Sequence, residues 1–535
     1  MDAIIFKVDA SISSAEVFMA EKRIIIWYRN DLRIHDHEPL CKAAKSGAKI
    51  IPVYCFDDRQ FGKTPFGFAK TGAFRAQFLL ESVADLRASL RSIGSDLVVR
   101  SGKPEIEVVK LAQELGVSSV YFYQEVTAEE LSVESALAKT LELAEIQIEK
   151  FWGHTLYHRD DLPFAVSELP ELFTNFRKQV EKESTVNALL LSPQRLAALP
   201  DTIDTGEIPT LERFGLTIAE KDSRQQIEFR GGETAGIDRV NEYIWKRDRL
   251  KVYKETRNGM LNPDDSSKFS PWLALGCLSP RYLYWQVDDY EEKRVKNDST
   301  YWLIFELLWR DYFRWVSGKH GEKIFKVQGL QGVSVPWKQD WERFELWRDG
   351  LTGFPLVDAN MRELATTGYM SNRGRQNVGS FLTKNLGIDW RMGAEYFESV
   401  LIDYDPCSNW GNWNYTAGVG NDARGFRFFN ITKQSRDYDP QGDYARHWLP
   451  ELAQVPGSKI HDVAKLNATE QAGFGVRLGV DYPNPIVDLF QSAAANEKIY
   501  NTAFGIVKQD RQGDRGRGQG EARSAQKSPP RKRSS

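Results

Sequence analysis

Residues able to do chemistry are concentrated at 403–430, DYDPCSNWGNWNYTAGVGNDARGFRFFN. Asp403, Asp405 and Asn409 stand there beside Trp410, Trp413 and Tyr415, with glycines between them. The segment is too polar for a core and too aromatic for a linker. It has the composition of a concave wall where a planar ligand meets a few fixed polar groups.

Three further constellations could serve such a wall. In YWLIFELLWRDYFRW at 301–315, helical spacing puts Glu306, Trp309, Arg310 and Phe313 on one face at i, i+3, i+4 and i+7. An ordinary amphipathic helix reads the same way, except that a carboxylate on the aromatic side costs several kcal/mol unless a partner or ligand compensates. GYMSNRGRQ at 368–376 supplies Tyr369, Asn372, Arg373 and Arg375. Its two arginines suit phosphate contacts and equally suit pairing with Asp403 or Asp405, and one arginine is expected in each role. NPDDSSKFSP at 262–271 precedes a helix and presents hydroxyls and unpaired N–H groups, as an anion site or as a plain cap.

The elements that must position these residues fall into two kinds. Apolar runs of strand type at 24–28, 50–56, 96–100, 119–123 and 146–151 alternate with amphipathic stretches such as 73–93 and 129–143. That alternation predicts an α/β, Rossmann-like parallel sheet at 23–160 with right-handed crossovers. No GxGxxG follows the first strand, which disfavours a dinucleotide site of the usual kind. Residues 161–235, rich in proline and polar groups, read as a long connector wrapped over a surface. From 236 the period turns helical, at 237–253, 280–287, 301–317, 341–349, 356–367, 372–386 and 391–402. An all-α part over 236–505 is expected to follow the α/β part.

A chain of 535 residues exceeds what one core usually serves. The formal charge is -3, but residues 510–535 carry eight Lys/Arg against three Asp/Glu, so the remainder carries about -8. Any nucleic-acid contact by the folded part must therefore come from a local basic groove. The segment from 506 onward cannot bury enough surface to order itself and is expected to be a disordered basic tail. Its RGRG and PPRKR runs could track a phosphate backbone, RNA included. Cys41, Cys55, Cys277 and Cys407 have neither metal-ligand nor disulfide spacing, which points to a cytoplasmic or other reducing compartment and to no metal site. Nothing in the sequence is long and apolar enough for a membrane span, and the extension at 1–22 shows no secretory or transit signal.

Several long motifs lie in one order: WYRNDLRIHDHEPL at 27–40, SKFSPWLALGCLSPR at 267–281, FELLWRDYF at 305–313, GFPLVDANMREL at 353–364, and the 403–430 segment running on through FFNITKQSRDYDPQGDYARHWLPEL. Together they resemble the DNA photolyase and cryptochrome family over roughly residues 23–500. Within it, YMSNRGRQNVGSF, YDPCSNWGNWNY and RDYDPQGDYARHW are the forms shown by the cryptochrome DASH branch.

The resemblance implies an FAD held in the helical part. By matching position, Tyr253 and the loop of Ser266, Ser267, Lys268, Phe269 and Ser270 would hold its phosphates. Arg375 would pair with Asp403 against the ring, Asp405 would meet its polar edge, and Asn409 would sit beside the reactive nitrogen. A neutral amide at 409 tolerates a reduced, anionic flavin that a carboxylate would repel. Trp413, Trp390 and Trp337 match the family's electron-transfer chain. In the α/β part the branch often holds methenyltetrahydrofolate as an antenna, with Glu125 as the matching contact.

On the substrate side, Glu306, Trp309, Tyr369, Asn372 and Tyr415 match positions around a flipped-out cyclobutane pyrimidine dimer. Tyr369, Tyr415 and Gln376 stand where duplex-repairing relatives carry Trp, Trp and Met, so less stacking is available to offset unpairing. The expected function is blue-light-driven, FAD-dependent dimer repair, chiefly in single-stranded DNA, by a monomer. Ser371 and Asn372 stand where six-four photolyases carry His, which argues against that activity. The alternative is a blue-light photoreceptor or nucleic-acid-binding regulator without turnover.

Overall fold

A computed structural model of the protein describes residues 22–506 apart from 219 and 422–424. The extension at 1–21 and the tail from 507 lie outside the described residues. Five parallel strands form the first half: β1 (Arg23–Tyr28), β2 (Lys49–Phe56), β3 (Val98–Ser101), β4 (Ser119–Tyr123) and β5 (Gln147–Phe151), in the order β3-β2-β1-β4-β5. Ile24, Ile25 and Ile26 of β1 are fully buried because helices cover both faces, and that is why the strand reads as an unbroken apolar run. The crossovers are α1 (Glu38–Lys45), α2 (Ala73–Ser92), α3 (Pro104–Glu114) and α4 (Ala128–Leu143).

The stretch after β5 is not featureless. It contains α5 (Phe173–Glu183), whose Phe173, Phe176 and Val180 pack into the core at i, i+3 and i+7. The prolines around it hid this helix behind a connector-like composition.

The second half is helical. In chain order it runs through α6 (Glu233–Val240), α7 (Tyr253–Thr256), α8 (Ser270–Ala274), α9 (Pro280–Lys293), α10 (Asp298–His320), α11 (Trp341–Arg348), α12 (Pro355–Thr367), α13 (Asn372–Ser380), α14 (Trp390–Val400) and α15 (Pro406–Ala417). Shorter helices follow, then a last one at Leu489–Ala503. The single helix expected at 237–253 is instead broken. A π-type turn at Asn241–Lys246 follows α6, and Asp248 takes a positive φ of 55° before α7 starts. The helix expected at 372–386 likewise ends as a π-type turn at Phe381–Leu386.

The two halves are joined through the loop after β1. Leu32 N donates to Leu275 O at 3.1 Å and Arg33, 1% exposed, donates to Gly276 O at 2.8 Å. Gly276 has φ +63° and a Cβ there would lie 2.0 Å from Asn30 O, so only glycine permits the approach. Asp36 then accepts from Arg281 through both oxygens, at 2.7 and 2.9 Å. Among the described residues no helix is long and apolar enough to cross a membrane, and no group of three or more His, Cys, Asp and Glu could hold a metal.

Candidate functional site

Helix α10 carries one wall of the site. Asn297 caps it in a reciprocal box with Thr300, and Gly321 ends it after 23 helical residues. Helix α15 faces it: Pro406 fills the first turn, Asp405 accepts from Ser408 N at 2.7 Å as the N-cap, and Gly418 closes the end at φ +79°. The third wall is α13, capped by Ser371 through Gly374 N at 3.0 Å.

Two cavities adjoin between these helices. The inner one, of about 260 Å³, is lined by Ser270, Tyr369, Arg375, Asp403, Asp405, Asn409 and Trp413. The outer one, of about 490 Å³, is lined by Arg257, Phe305, Glu306, Trp309, Arg310 and Tyr415 among others. Glu306, Asn372, Gln376, Ser408, Asn412 and Thr416 border both, so the two are compartments of one site.

Electrostatics in the inner cavity centre on Asp403. Arg375 Nη2 reaches its two oxygens at 3.0 and 2.8 Å, and Ser270 Oγ donates to the same carboxylate at 2.6 Å. Burial by itself would depress the guanidinium, but the Asp403 carboxylate reverses the direction and raises its pKa. Arg375 Nε also donates to Met370 O at 2.9 Å, which fixes the fork. Arg373 takes no carboxylate. It bonds Asn258 Oδ1 at 3.0 Å and Gln376 Oε1 at 2.9 Å and lies over the Tyr438 ring at 4.3 Å. Asn409 Nδ2 donates to Ala394 O at 3.0 Å, anchoring the amide at the cavity edge.

In the outer cavity Glu306 is ion-paired with Arg257. Burial raises the carboxyl pKa while the Arg257 guanidinium opposes the rise. No sequence signal marks Arg257 for this role, since KETRNG at 254–259 lies between motifs. Arg310 bonds the carbonyls of His154 and Leu273, tying the wall to the segment after β5. Trp309 is held flat by Phe173 of α5, with centroids 3.7 Å apart and planes 11° apart. At the far rim Lys384, 1% exposed, donates to Ala417 O at 2.6 Å and sits over Phe426 and Tyr500, at 4.7 and 5.0 Å. Its burial without a carboxylate pushes its pKa down to about 7.

Several expected residues stand elsewhere. Tyr369 follows Gly368, whose φ of +69° turns the chain out of α12, and its ring lies over Arg375 and Lys268, at 5.6 and 4.8 Å. It therefore lines the inner cavity and not the wall shared by Trp309 and Tyr415. Tyr253 and Phe269 line neither cavity: Tyr253 is 6% exposed with its hydroxyl toward Arg257, and Phe269 is core, 5.9 Å from Tyr243. The carbonyls of Ser266 and Ser267 are turned to Arg239, at 3.3 and 3.0 Å, and Lys268 takes a φ of +56°.

Glu125 departs further from expectation. It is 3% exposed, paired with Arg314 of α10 and bonded by Asn30 at 3.2 Å. The carboxylate is a buried tie between the sheet half and the helical half, and its pKa is lowered because Arg314 and Arg29 outweigh its burial. As for the tryptophans, Trp413 borders the inner cavity, and Trp390 is fully buried. Trp390 meets Trp410 at 5.7 Å, while Trp413 meets Phe397 at 5.1 Å and Trp347 at 6.5 Å. Among the described residues no two of Trp413, Trp390 and Trp337 are in direct ring contact, so any transfer between them crosses a gap.

Comparison with known proteins bears on this geometry. Residues 24–199 match the family model described as DNA photolyase, and residues 302–502 match the FAD binding domain of DNA photolyase. Cryptochrome DASH of Gloeobacter violaceus is 64% identical over 486 residues, covering 91% of this chain and 97% of that protein. The crystal structure of the Synechocystis sp. PCC6803 cryptochrome superposes with a TM-score of 0.88 at 56% identity, covering 90% of this chain and 99% of that one. A class III photolyase from Agrobacterium tumefaciens gives a TM-score of 0.81 at 30% identity, covering 92% and 100%.

Proposed function

The chain belongs to the cryptochrome DASH branch of the DNA photolyase family, and from that premise we propose that it repairs cyclobutane pyrimidine dimers in single-stranded DNA under blue light. The observation that carries this reading is the adjacency of the two cavities, one built around Arg375, Asp403 and Asn409 and the other around Glu306, Asn372 and Trp309.

The inner cavity's donor set suits a flavin. A paired cation, two carboxylates, a hydroxyl and a neutral amide surround a space also walled by Phe397, Leu401 and Trp413. Arg375, Asp403, Asp405, Asn409 and Ser270 would hold the ring and its polar chain, with Lys268 and the 266–267 backbone nearer the phosphates. Held by these residues, a reduced FAD would supply the light-driven electron transfer, the electron returning once the C5–C5 and C6–C6 bonds between the two bases have broken, with no net redox change.

The residues of the outer cavity bind and orient the extruded pair. Trp309 offers a stacking surface that Phe173 keeps in plane, and Asn372 and Glu306 offer hydrogen bonds to the base edges. Glu306 must carry a proton to support charge on a thymine carbonyl, and burial moves it in that direction. Trp413, Trp390 and Trp337 are assigned to reducing the flavin, across the gaps noted above. The closed packing around Glu125, held by Arg314 and Asn30, offers a methenyltetrahydrofolate antenna no cradle at that residue. The basic tail could bind RNA or DNA without taking part in the chemistry.

The test is blue-light irradiation of dimer-bearing oligonucleotides with the photoreduced protein. Repair of single strands well above duplex is expected. No repair of either refutes the reading and leaves light signalling as the role. Equal repair of both refutes the strand preference.

A further inference from the structure

A third cavity, of about 340 Å³, lies behind the outer one. Trp309, Phe313 and Tyr415 line both, so these rings form a partition and not an end wall. On the far side the space is closed by Leu172 and Phe173 at the start of α5 and by Val316 of α10. Its size falls in the lower part of the roughly 300–1,000 Å³ range of small-ligand sites, and its lining is mostly aromatic and aliphatic.

Among its polar lining residues, Glu171, Tyr312 and Asn421 form one bonded cluster. Asn421 Nδ2 lies 3.1 Å from both Glu171 Oε2 and the Tyr312 hydroxyl, and Glu171 is offset by Lys319 Nζ at 2.5 Å. The two amide hydrogens and the Tyr312 hydroxyl hydrogen, which goes to Glu171 O, are engaged within this cluster, so the rim presents acceptors, and these suit the N–H groups on the edge of a nucleobase. The aromatic partition with a hydrogen-bonding rim matches the way unpaired bases are held on side-chain platforms.

Taking the outer cavity as the dimer site, we infer that this third cavity is a second nucleobase subsite, which receives the base next to the extruded pair on the same strand. The backbone that carries the pair past Trp309 and Tyr415 brings its neighbour to the space beyond them, where Phe173, stacked on Trp309, and Tyr415 offer the ring surface. In a duplex that neighbour is paired and stacked, and moving it costs further unpairing. In a single strand it is already free. The subsite thus gives the strand preference a source distinct from the polar wall of the outer cavity.

The experiment measures binding of a bare dimer dinucleotide, of trinucleotides with an ordinary base 5′ or 3′ to the dimer, and of the same trinucleotides with an abasic flank. It uses the full-length FAD-loaded protein, its Leu172→Trp variant and its Val316→Phe variant. Leu172 is 46% exposed, so a tryptophan there can fold inward to fill the cavity without disturbing the core. A flanking base is expected to improve affinity about tenfold over the abasic flank on one side of the dimer. Either variant should abolish that gain and leave the dinucleotide's affinity unchanged. A 2-aminopurine flank should be quenched on binding to the natural protein and less so in the variants.

Tight dinucleotide binding with no gain from a flanking base overturns the subsite alone. A gain that survives both variants places the base elsewhere and overturns it too. Failure of every dimer-bearing oligonucleotide to bind overturns the subsite together with the proposed function.

Discussion

Arg257 and Glu306, 49 residues apart in the chain, meet as an ion pair within the outer cavity. Because burial raises the Glu306 pKa and Arg257 opposes that rise, Arg257→Gln should move the protonation midpoint of Glu306 upward. Glu306→Gln should remove it. The pH profile of dimer binding checks both: its Glu306-dependent limb shifts upward in the first variant and vanishes in the second.

Arg375 holds the Asp403 carboxylate against the inner cavity. Replacing Arg375 by Leu leaves a carboxylate, 2% exposed at its side chain, with only Ser270 to bond it. The loss should be near the lower end of the roughly 3–5 kcal/mol for breaking a buried pair, since the guanidinium is 26% exposed. Flavin content measured by the ratio of flavin to protein absorbance should fall at least tenfold, and thermal unfolding should begin earlier.

Tyr415 stands on the partition between the outer and third cavities. Tyr415→Trp should add stacking surface worth about 1 kcal/mol and raise repair of duplex relative to single strand by about fivefold. Parallel rate measurements on the two substrates decide this. An unchanged ratio removes Tyr415 from the specificity argument.

Asp311 of α10 accepts from Leu156 N at 2.8 Å and Tyr157 N at 3.3 Å, and its other oxygen has no partner. Burial pushes its pKa up to about 7. The folded state therefore binds a proton more tightly than the unfolded state, and this group's contribution to stability falls as pH rises from about 4 to about 7. In Asp311→Asn the difference in Tm from the natural protein should move in the variant's favour across that window and level off above it. Paired melts at pH 4.5, 6 and 8 measure the trend.

Much of this arrangement could be read from the chain. The strands were legible because a doubly covered parallel sheet makes continuous apolar runs, and β4 lies at 119–123 as expected. The 403–430 wall was legible because Asp403, Asp405 and Asn409 cluster locally, and the Arg375 partner lies on a motif of its own. What escaped depends on long-range approach. Phe173 backs Trp309 from 136 positions away, inside a proline-rich stretch that has no helical period beyond α5 itself. Glu125 is matched to an antenna contact in the sequence because nothing local reveals Arg314, 189 positions on. The break at 241–252 was invisible because π-type and tight turns keep the apolar spacing of a helix over so short a span.

Helix α10 presents Glu306 and Trp309 to the outer cavity, Val316 to the third, and Arg314 to the sheet half through Glu125. It is one rigid rod with three tenants. Sliding it even a fraction of a turn to refit the sheet would alter the distance between the carboxylate and the lesion and the depth of the space behind Trp309 together. Evolution or engineering at the Arg314 junction therefore has no private effect there: a change made for the sheet half would be registered as altered outer and third cavities in the other.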